Sequence, residues 1–325
     1  MCSSSRVKTF FEKQQRADYE QGGWGCASEL YDRSFGNKFR SYARHALDFV
    51  ECNSRIVDVG CGSGALFEVL KQHEFKNVDS YVGLDFSPEM IDICNSKRES
   101  ADPASFYVAN GENLSSIQDN SKTLAVALFS VIFFPQRSRG LSEIYRVLDQ
   151  NGGVALVSGW STVPNLEWVY YSNQSMKRVL SSEKYEPERV ALKALTGHLT
   201  NQKPNFLAWS NPDDLKQEME DVNFRNVRTF EKTERFLMPS ASSCTHLWKD
   251  MASSFPTIKY LLNSLYQHES MIHLFPNHEE RKIEFEESIS KSFADLIGER
   301  GPPQEDPSSC YGYLDGKAIF GIGEK

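Results

Sequence analysis

Two carboxylates and a group of glycines stand at spacings that suit the binding of a nucleoside-like ligand. The segment Asp58-Val59-Gly60-Cys61-Gly62-Ser63-Gly64 follows a short β-branched run and precedes a helical pattern. Glycines at such a turn let the backbone approach a ligand, and the following helix offers free N–H groups. Asp85 ends the next strand pattern, 21 residues after Gly64. At that position a carboxylate accepts hydrogen bonds from a ribose diol.

Asp58 separates the two kinds of ligand that fit the glycine turn. Gly60, Gly62 and Ala65 also satisfy the relaxed fingerprint of dinucleotide-binding proteins. A pyrophosphate, however, is bound by N–H groups and the positive end of a helix dipole, and a neighbouring carboxylate repels it. Asp58 therefore favours a ligand that carries a cationic ammonium and no phosphate. A purely structural turn is the remaining alternative, and the matching position of Asp85 argues against it.

Short apolar strands alternate with amphipathic helices around these residues. Strands are expected at Arg55–Gly60, Tyr81–Asp85, Phe106–Ala109, Leu124–Ser130 and Val154–Ser158. Helices are expected over Gly64–Gln72, from Ser87-Pro88 through Cys94, and over Leu141–Leu148. This alternation predicts a parallel α/β sheet that is covered by helices on both faces.

Beyond Ser158 the pattern becomes mainly helical. Helices are expected around Asn165–Leu180, Glu186–Leu195, after the Asn211-Pro212 cap, and in a block from about 241 to 297. Strands are expected at Val227–Thr233 and Lys317–Ile322. We interpret the chain as one α/β domain that carries two helical insertions, not as two independent domains.

Composition excludes several classes of protein. The 325 residues are 40% hydrophobic and 25% charged, with a net charge of −8 and a pI near 5.5, which disfavours disordered chains and basic nucleic-acid binders. The longest apolar stretch, Leu124–Phe134, is interrupted by Ser130 and is too short to span a membrane. Seven cysteines without a CxxC pair predict neither a zinc site nor a disulfide framework. With no signal-peptide pattern at the first residues, a cytoplasmic location is expected.

A family resemblance emerges when the motifs are taken together. Asp58-x-Gly60-x-Gly62-x-Gly64, Asp85 and Asn110-Gly111-Glu112-Asn113-Leu114 resemble the class I S-adenosylmethionine-dependent methyltransferases of the type 11/25 kind. They are most similar to the small-molecule branch that includes the ubiquinone and menaquinone type enzymes. Residues 146–153 resemble the family's turn before its fifth strand, with Gln150-Asn151 replacing the usual proline. The strong resemblance covers residues 54–160.

The resemblance implies a Rossmann-like seven-stranded sheet, mostly parallel with an antiparallel last strand, that carries helical cap insertions. Residues 214–230 are similar to the helix and sixth strand of that fold, and residues 316–323 to its seventh strand. The implied parts are an N-terminal helical lid (1–53), the cofactor-binding core (54–160), a helical insertion (161–209), a core helix and strand six (210–235), a second insertion (236–312) and strand seven (313–325).

The resemblance also implies the cofactor, S-adenosylmethionine, its product S-adenosylhomocysteine, and the residues that hold them. Asp58 is assigned to the methionine ammonium and Asp85 to the ribose hydroxyls. The methionine is expected along Gly60, Cys61, Gly62 and Gly64; the adenine against Phe86, Met90, Asn110 and Gly111; the sulfonium beside Phe129 and Ser130. Asn110 stands where the family often has Asp, and its amide oxygen can still accept from the adenine amino group. Cys61 is expected to act as a small residue and not as a nucleophile.

The methyl acceptor is expected to be a small, partly apolar molecule, because aromatic residues collect in the segments that would cover the methyl group. The expected wall consists of Trp24, Tyr31, Phe133, Trp160, Trp168 and Trp248, for which simple core packing is the alternative. After the fourth strand, residues 130–133 lack the Asn-Pro-Pro-Tyr-like signature of enzymes that methylate DNA or protein nitrogens. No general base is assigned; the candidates are His198, His246, His268, His273 and His278.

These observations lead to a ranked set of hypotheses. The first is methyl transfer to an oxygen or nitrogen of a small molecule, without a nucleic-acid partner, a metal or a membrane span. The second is a methyltransferase that acts on a protein or RNA. The third is a methyltransferase-like fold without turnover that serves as an interaction module. A nicotinamide oxidoreductase is the fourth.

Overall fold

The structure is a computed structural model that describes residues 24–25, 28–162, 166–196, 209, 211–303 and 310–325. The strands are β1 (Ser54–Val59), β2 (Val78–Asp85), β3 (Ala104–Val108), β4 (Leu124–Leu128), β5 (Val154–Trp160), β6 (Arg225–Met238) and β7 (Gly312–Glu324). The helices of the first half are α1 (Ser28–Tyr31), α2 (Asn37–Ala43), α3 (Ala65–Gln72), α4 (Pro88–Lys97) and α5 (Arg137–Val147). Those of the second half are α6 (Glu167–Leu180), α7 (Glu186–Thr196), α8 (Pro212–Asp221), α9 (Ala241–Ser254), α10 (Pro256–Tyr266), α11 (Glu269–Leu274) and α12 (His278–Arg300).

The seven strands form one sheet in the order β3-β2-β1-β4-β5-β7-β6. Strands β1 to β5 pair in parallel, and β7 runs antiparallel to β5. The predicted mostly parallel, Rossmann-like sheet with an antiparallel last strand is therefore confirmed. Because the carboxyl ends of β1, β2 and β4 meet at one edge, the residues that follow these strands lie close together.

Local sequence explains where the helices of the sheet begin. Ser87 caps α4, where its Oγ accepts from the Met90 N–H at 3.3 Å, and Pro88 occupies the first turn. Asn211 caps α8 in the same way, since its Oδ1 accepts from the Asp214 N–H at 3.0 Å. Both predicted caps are confirmed.

Several strand boundaries differ from the prediction. β6 and β7 extend well beyond the predicted 227–233 and 317–322. In β7 buried residues alternate with half-buried ones from 312 to 317, so Asp315 and Lys317 point outward. These charged residues interrupt the apolar pattern by which the strand would have been predicted. β4 ends at Leu128 rather than Ser130, because Phe129 has a positive φ of 55° and a 3-10 turn, Val131–Phe133, follows.

The described residues form two compact units. The sheet unit comprises the described parts of 24–162, 204–234 and 317–325, and the helical unit those of 163–203 and 235–316. Residues of both predicted insertions thus belong to a single unit, in which α12 buries Phe285, Ile289 and Phe293. In the part of the chain that the structure describes, no helix is long and apolar enough to cross a membrane.

Residues 28–49 of the sheet unit are here termed the cap segment. They comprise α1, the π-helical turn Asp32–Gly36, α2 and the 3-10 turn Arg44–Phe49. The segment falls within the predicted N-terminal lid (1–53), whose role as a lid stays a prediction. Residues 1–23 of the lid lie outside the described residues.

Candidate functional site

The glycine turn after β1 has a backbone that only glycine adopts easily. Gly60 has a φ of +74°, and a methyl group on it would lie 2.3 Å from the Ser130 Cβ. The N–H groups of Gly60 and Cys61 both donate to the Leu84 carbonyl, at 2.7 and 2.9 Å. These bonds hold the turn against the end of β2.

Asp85, the last residue of β2, presents its carboxylate to the glycine turn. Its Oδ2 accepts from the Gly62 N–H at 2.9 Å, and its Oδ1 accepts from the Ser87 N–H at 3.0 Å. Burial raises the pKa of Asp85 above its usual value, although the N–H groups of Ser87, Gly62 and Phe86 oppose that rise. A carboxylate accepts about four hydrogen bonds. Asp85 is therefore oriented by backbone donors and retains capacity for hydroxyl donors of a ligand.

Asp58, near the end of β1, is 3% exposed and lies beside a phenol. The Tyr81 hydroxyl donates to the Asp58 Oδ2 at 2.7 Å. Burial raises the pKa of Asp58 to about 7; the hydrogen bond from Tyr81 lowers it, and the charge of Asp85 raises it. Near neutral pH a cation placed beside Asp58 will favour its ionised form. Asp58 was predictable from the sequence, whereas the only signal for Tyr81 is its inward position on β2.

The remaining residues predicted at the glycine turn and the adenine are Cys61, Gly64, Phe86 and Met90. A hydrogen bond with Cys94 raises the pKa of the Cys61 thiol, and burial raises it further. That Cys61 acts as a small residue and not as a nucleophile stays a prediction. Gly64, with a φ of +92°, precedes α3. Phe86 is half-buried and Met90 is buried in α4. Their proposed contact with an adenine stays a prediction.

Asn110 and Gly111 form a turn directly after β3. The Ala109 N–H donates to the Asp85 carbonyl at 2.8 Å, which brings this turn beside β2. The exposed Asn110 uses its side-chain oxygen to accept from the Glu112 N–H at 2.9 Å. That is the oxygen the sequence analysis assigned to an adenine amino group. A methyl group on Gly111 would lie 2.2 Å from the Phe134 ring, so a side chain does not fit there.

Phe129 and Ser130 follow β4 at the same edge of the sheet. The positive φ of Phe129 is unusual for a bulky residue, and such strain concentrates at functional sites. The Phe129 N–H donates to the Ser158 carbonyl at 3.1 Å and to its Oγ at 3.2 Å. Ser130 donates from its Oγ to the Val59 carbonyl at 2.6 Å. The backbone is thus fixed next to the glycine turn.

An aromatic cluster lies beside the end of β4 and includes four of the six residues predicted to contact the acceptor. Phe129 stacks on Trp160 with ring centroids 3.9 Å apart. Phe39 contacts Trp160 at 5.8 Å, and Trp24 contacts Phe133 at 5.3 Å. Its members are Trp24, Tyr31, Phe35, Phe39, Tyr42, Phe129, Phe133 and Trp160.

The other two predicted acceptor residues belong to the helical unit. Trp168 of α6 contacts Phe236 with centroids 5.7 Å apart, and Trp248 of α9 is buried. The structure therefore groups only Trp24, Tyr31, Phe133 and Trp160 in one cluster.

The candidate histidines are also distributed unequally. His198 lies outside the described residues, whereas His246, His268, His273 and His278 lie in the helical unit. Among them, His268 caps α11, since its side chain accepts from the Ser270 N–H. The sequence analysis overlooked His45 of the cap segment, whose Nε2 lies 3.5 Å from the Glu234 carboxylate.

The arrangement fits S-adenosylmethionine, which offers a ribose diol and an ammonium. Asp85 and Asp58 are the carboxylates predicted for the diol and the ammonium, and these two roles stay predictions. At Gly62, whose N–H orients Asp85, an added methyl group would meet no described atom within 4 Å, so the turn leaves space for a ligand. Among the described residues, no three His, Cys, Asp or Glu side chains are grouped to hold a metal ion.

Comparison with known proteins agrees with this geometry. Residues 57–156 match the family model described as a methyltransferase domain. The ubiquinone/menaquinone biosynthesis C-methyltransferase UbiE of Geotalea daltonii is 31% identical over 123 residues, 36% of this chain and 52% of the relative. The carboxy-S-adenosyl-L-methionine synthase of Histophilus somni is 26% identical over 127 residues, 38% of this chain and 52% of the relative. The chain thus spans about half the length of these two relatives.

A solved structure supports the same fold. The YcgJ protein from Bacillus subtilis is 14% identical, with a TM-score of 0.50 over 88% of this chain and 98% of that one. At this identity the likeness concerns the fold alone. This likeness agrees with the strand order of the sheet unit and with the family model that matches residues 57–156. Residues 57–156 thus match a methyltransferase domain, and the relatives and the fold support the resemblance to the class I, S-adenosylmethionine-dependent methyltransferases.

Proposed function

We propose that this chain is an enzyme that transfers a methyl group from S-adenosylmethionine to an oxygen or nitrogen atom of a small, partly apolar molecule. The main support is Asp85, whose carboxylate is held by the Gly62 and Ser87 N–H groups and keeps capacity for hydroxyl donors. Asp58 lies at the neighbouring strand end, where a carboxylate suits an ammonium. A dinucleotide would instead bring a pyrophosphate beside Asp58, which disfavours an oxidoreductase.

Each part of the site has a distinct task in this proposal. The cofactor supplies a methyl group on a positively charged sulfur. Asp85 holds the ribose, and Asp58 holds the ammonium of the methionine part. Phe129 and its aromatic neighbours exclude water and orient the acceptor, and orientation of reacting groups can lower a barrier by as much as ~7–11 kcal/mol. A base is needed only where the acceptor atom must lose a proton.

Calorimetry with S-adenosylhomocysteine, S-adenosylmethionine and NADH tests the cofactor. We expect micromolar binding of the two adenosyl compounds and its loss in Asp85→Ala, because two charge-assisted hydrogen bonds contribute on the order of 3–6 kcal/mol when desolvated. Asp79→Ala is the matched control, since Asp79 lies on the same strand and is exposed. Binding of NADH in place of the adenosyl compounds would contradict the proposal.

Transfer of a radiolabelled methyl group tests the acceptor. The label is offered in parallel to a metabolite extract and to an extract of protein and RNA. We expect labelled small molecules with the new methyl group on oxygen or nitrogen. Label only in macromolecules favours the second hypothesis, and binding without any transfer favours an interaction module. A new carbon–methyl bond, which is the reaction in the name of the UbiE relatives, would correct the proposed atom.

A further inference from the structure

A network of charged side chains joins the cap segment to the glycine turn. Lys97, at the end of α4, donates from its Nζ to the Asp32 carboxylate at 2.6 Å, the Ser63 carbonyl at 2.9 Å and the Glu68 carboxylate at 2.5 Å. Arg40 of the cap segment forms a second ion pair with Glu68. Two cations therefore compensate two carboxylates, and all four side chains are only 20–25% exposed.

The backbone of the cap segment leaves space for this network. Asp32 begins the π-helical turn Asp32–Gly36, and such turns are frequent at functional sites. A methyl group on Gly36 would lie 2.9 Å from the Asp32 carboxylate and 3.9 Å from the Ser63 Oγ. Glycine at this position lets the Asp32 side chain pass toward Lys97.

The same part of the cap segment brings Tyr31 near Asp85. Tyr31 stacks on Phe39, with centroids 5.7 Å apart. Burial raises the pKa of Tyr31, and the charges of Asp85 and Asp32 raise it further. Because Tyr31 directly precedes Asp32, an anchored Asp32 also restrains Tyr31, whose pKa responds to the charge of Asp85.

We infer that Lys97 is a positioning residue of the cofactor site. Through the Ser63 carbonyl it fixes the turn whose Gly62 N–H orients Asp85, and through Asp32 it keeps the cap segment closed beside that carboxylate. Opening the cap segment then requires the Lys97–Asp32 pair to break. The inference rests on the proposed cofactor function.

Cofactor dissociation from Lys97→Met and Asp32→Asn tests this role. Stopped-flow and calorimetry with S-adenosylhomocysteine are expected to show an affinity about tenfold weaker, mainly because the ligand dissociates faster. An effect of about this size is expected because charged residues in contact are energetically coupled. Lys97→Arg should recover part of the loss. Arg55→Met is the matched control, because Arg55 is also ion-paired, with Asp149 at 3.1 Å, but has no described bond to Lys97, the cap segment or the glycine turn.

The double variant distinguishes positioning from general stability. If Lys97 acts through Asp32, the complex of the double variant dissociates no faster than that of Lys97→Met alone. If Lys97→Met does not fold, the dissociation rate of S-adenosylhomocysteine from Asp32→Asn alone tests the same pair, and it should exceed the wild-type rate. Additive effects of the two substitutions, or a Lys97→Met dissociation rate equal to that of Arg55→Met, would overturn the inference while the wild-type chain still binds. A wild-type chain that binds no adenosyl compound would overturn the proposed function itself.

Discussion

The two units each bury carboxylates, but they compensate the charges differently. In the helical unit, Glu188 is fully buried and accepts from Arg281 Nε at 2.6 Å and Nη2 at 3.2 Å. The Tyr266 hydroxyl adds a third bond at 3.3 Å. In the sheet unit, Asp85 and Asp58 receive hydrogen bonds from neutral donors, and burial raises the pKa of both.

This difference shows how a buried carboxylate that serves structure differs from one suited to a ligand. A bidentate guanidinium satisfies Glu188 within the protein and fixes α7 against α12. Neutral donors orient a carboxylate without neutralising it, so an incoming hydroxyl or cation still gains from binding there. The contrast predicts opposite phenotypes for the two sets of residues.

Arg281→Met is expected to have the largest effect on stability. It leaves Glu188 buried with only the Tyr266 hydroxyl, and an unpaired buried charge costs about 3–5 kcal/mol of unfolding free energy. Urea denaturation measures the loss, and binding of S-adenosylhomocysteine should not change. The matched control is Glu188→Gln combined with Arg281→Met, which should recover most of the stability. An equally unstable double variant would refute the structural role of the pair.

Gly60→Ala is expected to damage the sheet unit and the ligand site together. The positive φ costs about 1–3 kcal/mol for a residue with a side chain. In addition, the new methyl group would lie 2.3 Å from the Ser130 Cβ and displace the turn. Thermal unfolding and calorimetry should show both losses. Gly152→Ala is the control with a positive φ of 108° but no described atom within 4 Å, and it should leave binding intact.

The pH dependence of binding tests the role of Asp58. Its pKa of about 7 means that it is ionised above pH 7 and protonated below. An ammonium ligand favours the ionised form, so affinity for S-adenosylhomocysteine should fall as pH drops below 7, by up to about tenfold per pH unit. Because the Tyr81 hydrogen bond lowers the pKa, Tyr81→Phe should move this fall to higher pH. Asp58→Asn should flatten the profile, and an unchanged slope in that variant would assign the effect elsewhere.

Ser158→Ala is expected to have the smallest effect. It removes the Oγ that accepts from the Phe129 N–H, while the main-chain bond to the Ser158 carbonyl remains. We expect a loss of about 0.5–1.5 kcal/mol in unfolding free energy and slower methyl transfer with little change in cofactor affinity. Ser142→Ala, on the exposed face of α5, is the control and should change neither quantity. If Ser158→Ala reduced cofactor affinity more than it reduced the rate of methyl transfer, the result would contradict a role for Phe129 at the acceptor.

The parts of the site that depend on short-range patterns were predictable from the sequence. The spacing of residues indicated the glycine turn, Asp85 and the Ser87 cap, because they lie on two consecutive strand-turn-helix patterns. The sheet followed from the alternation of strands and helices together with the family resemblance.

Long-range partners were not predictable. Lys97 stands 65 residues from Asp32, and Arg281 stands 93 residues from Glu188. Such pairs form only when folded elements meet, and no local spacing encodes them. The lengths of β6 and β7 were underestimated for a related reason, because their half-exposed charged positions interrupt the apolar pattern.

A crystal structure with S-adenosylhomocysteine tests the central claim most directly. We predict that both ribose hydroxyls lie about 2.5–3.0 Å from the Asp85 carboxylate oxygens, with the amino group on the Asp58 side. The Gly62 and Ser87 N–H groups should keep their bonds to Asp85. A ligand whose ribose lies away from Asp85, or a soaked crystal with no ligand at this strand end, would contradict the account.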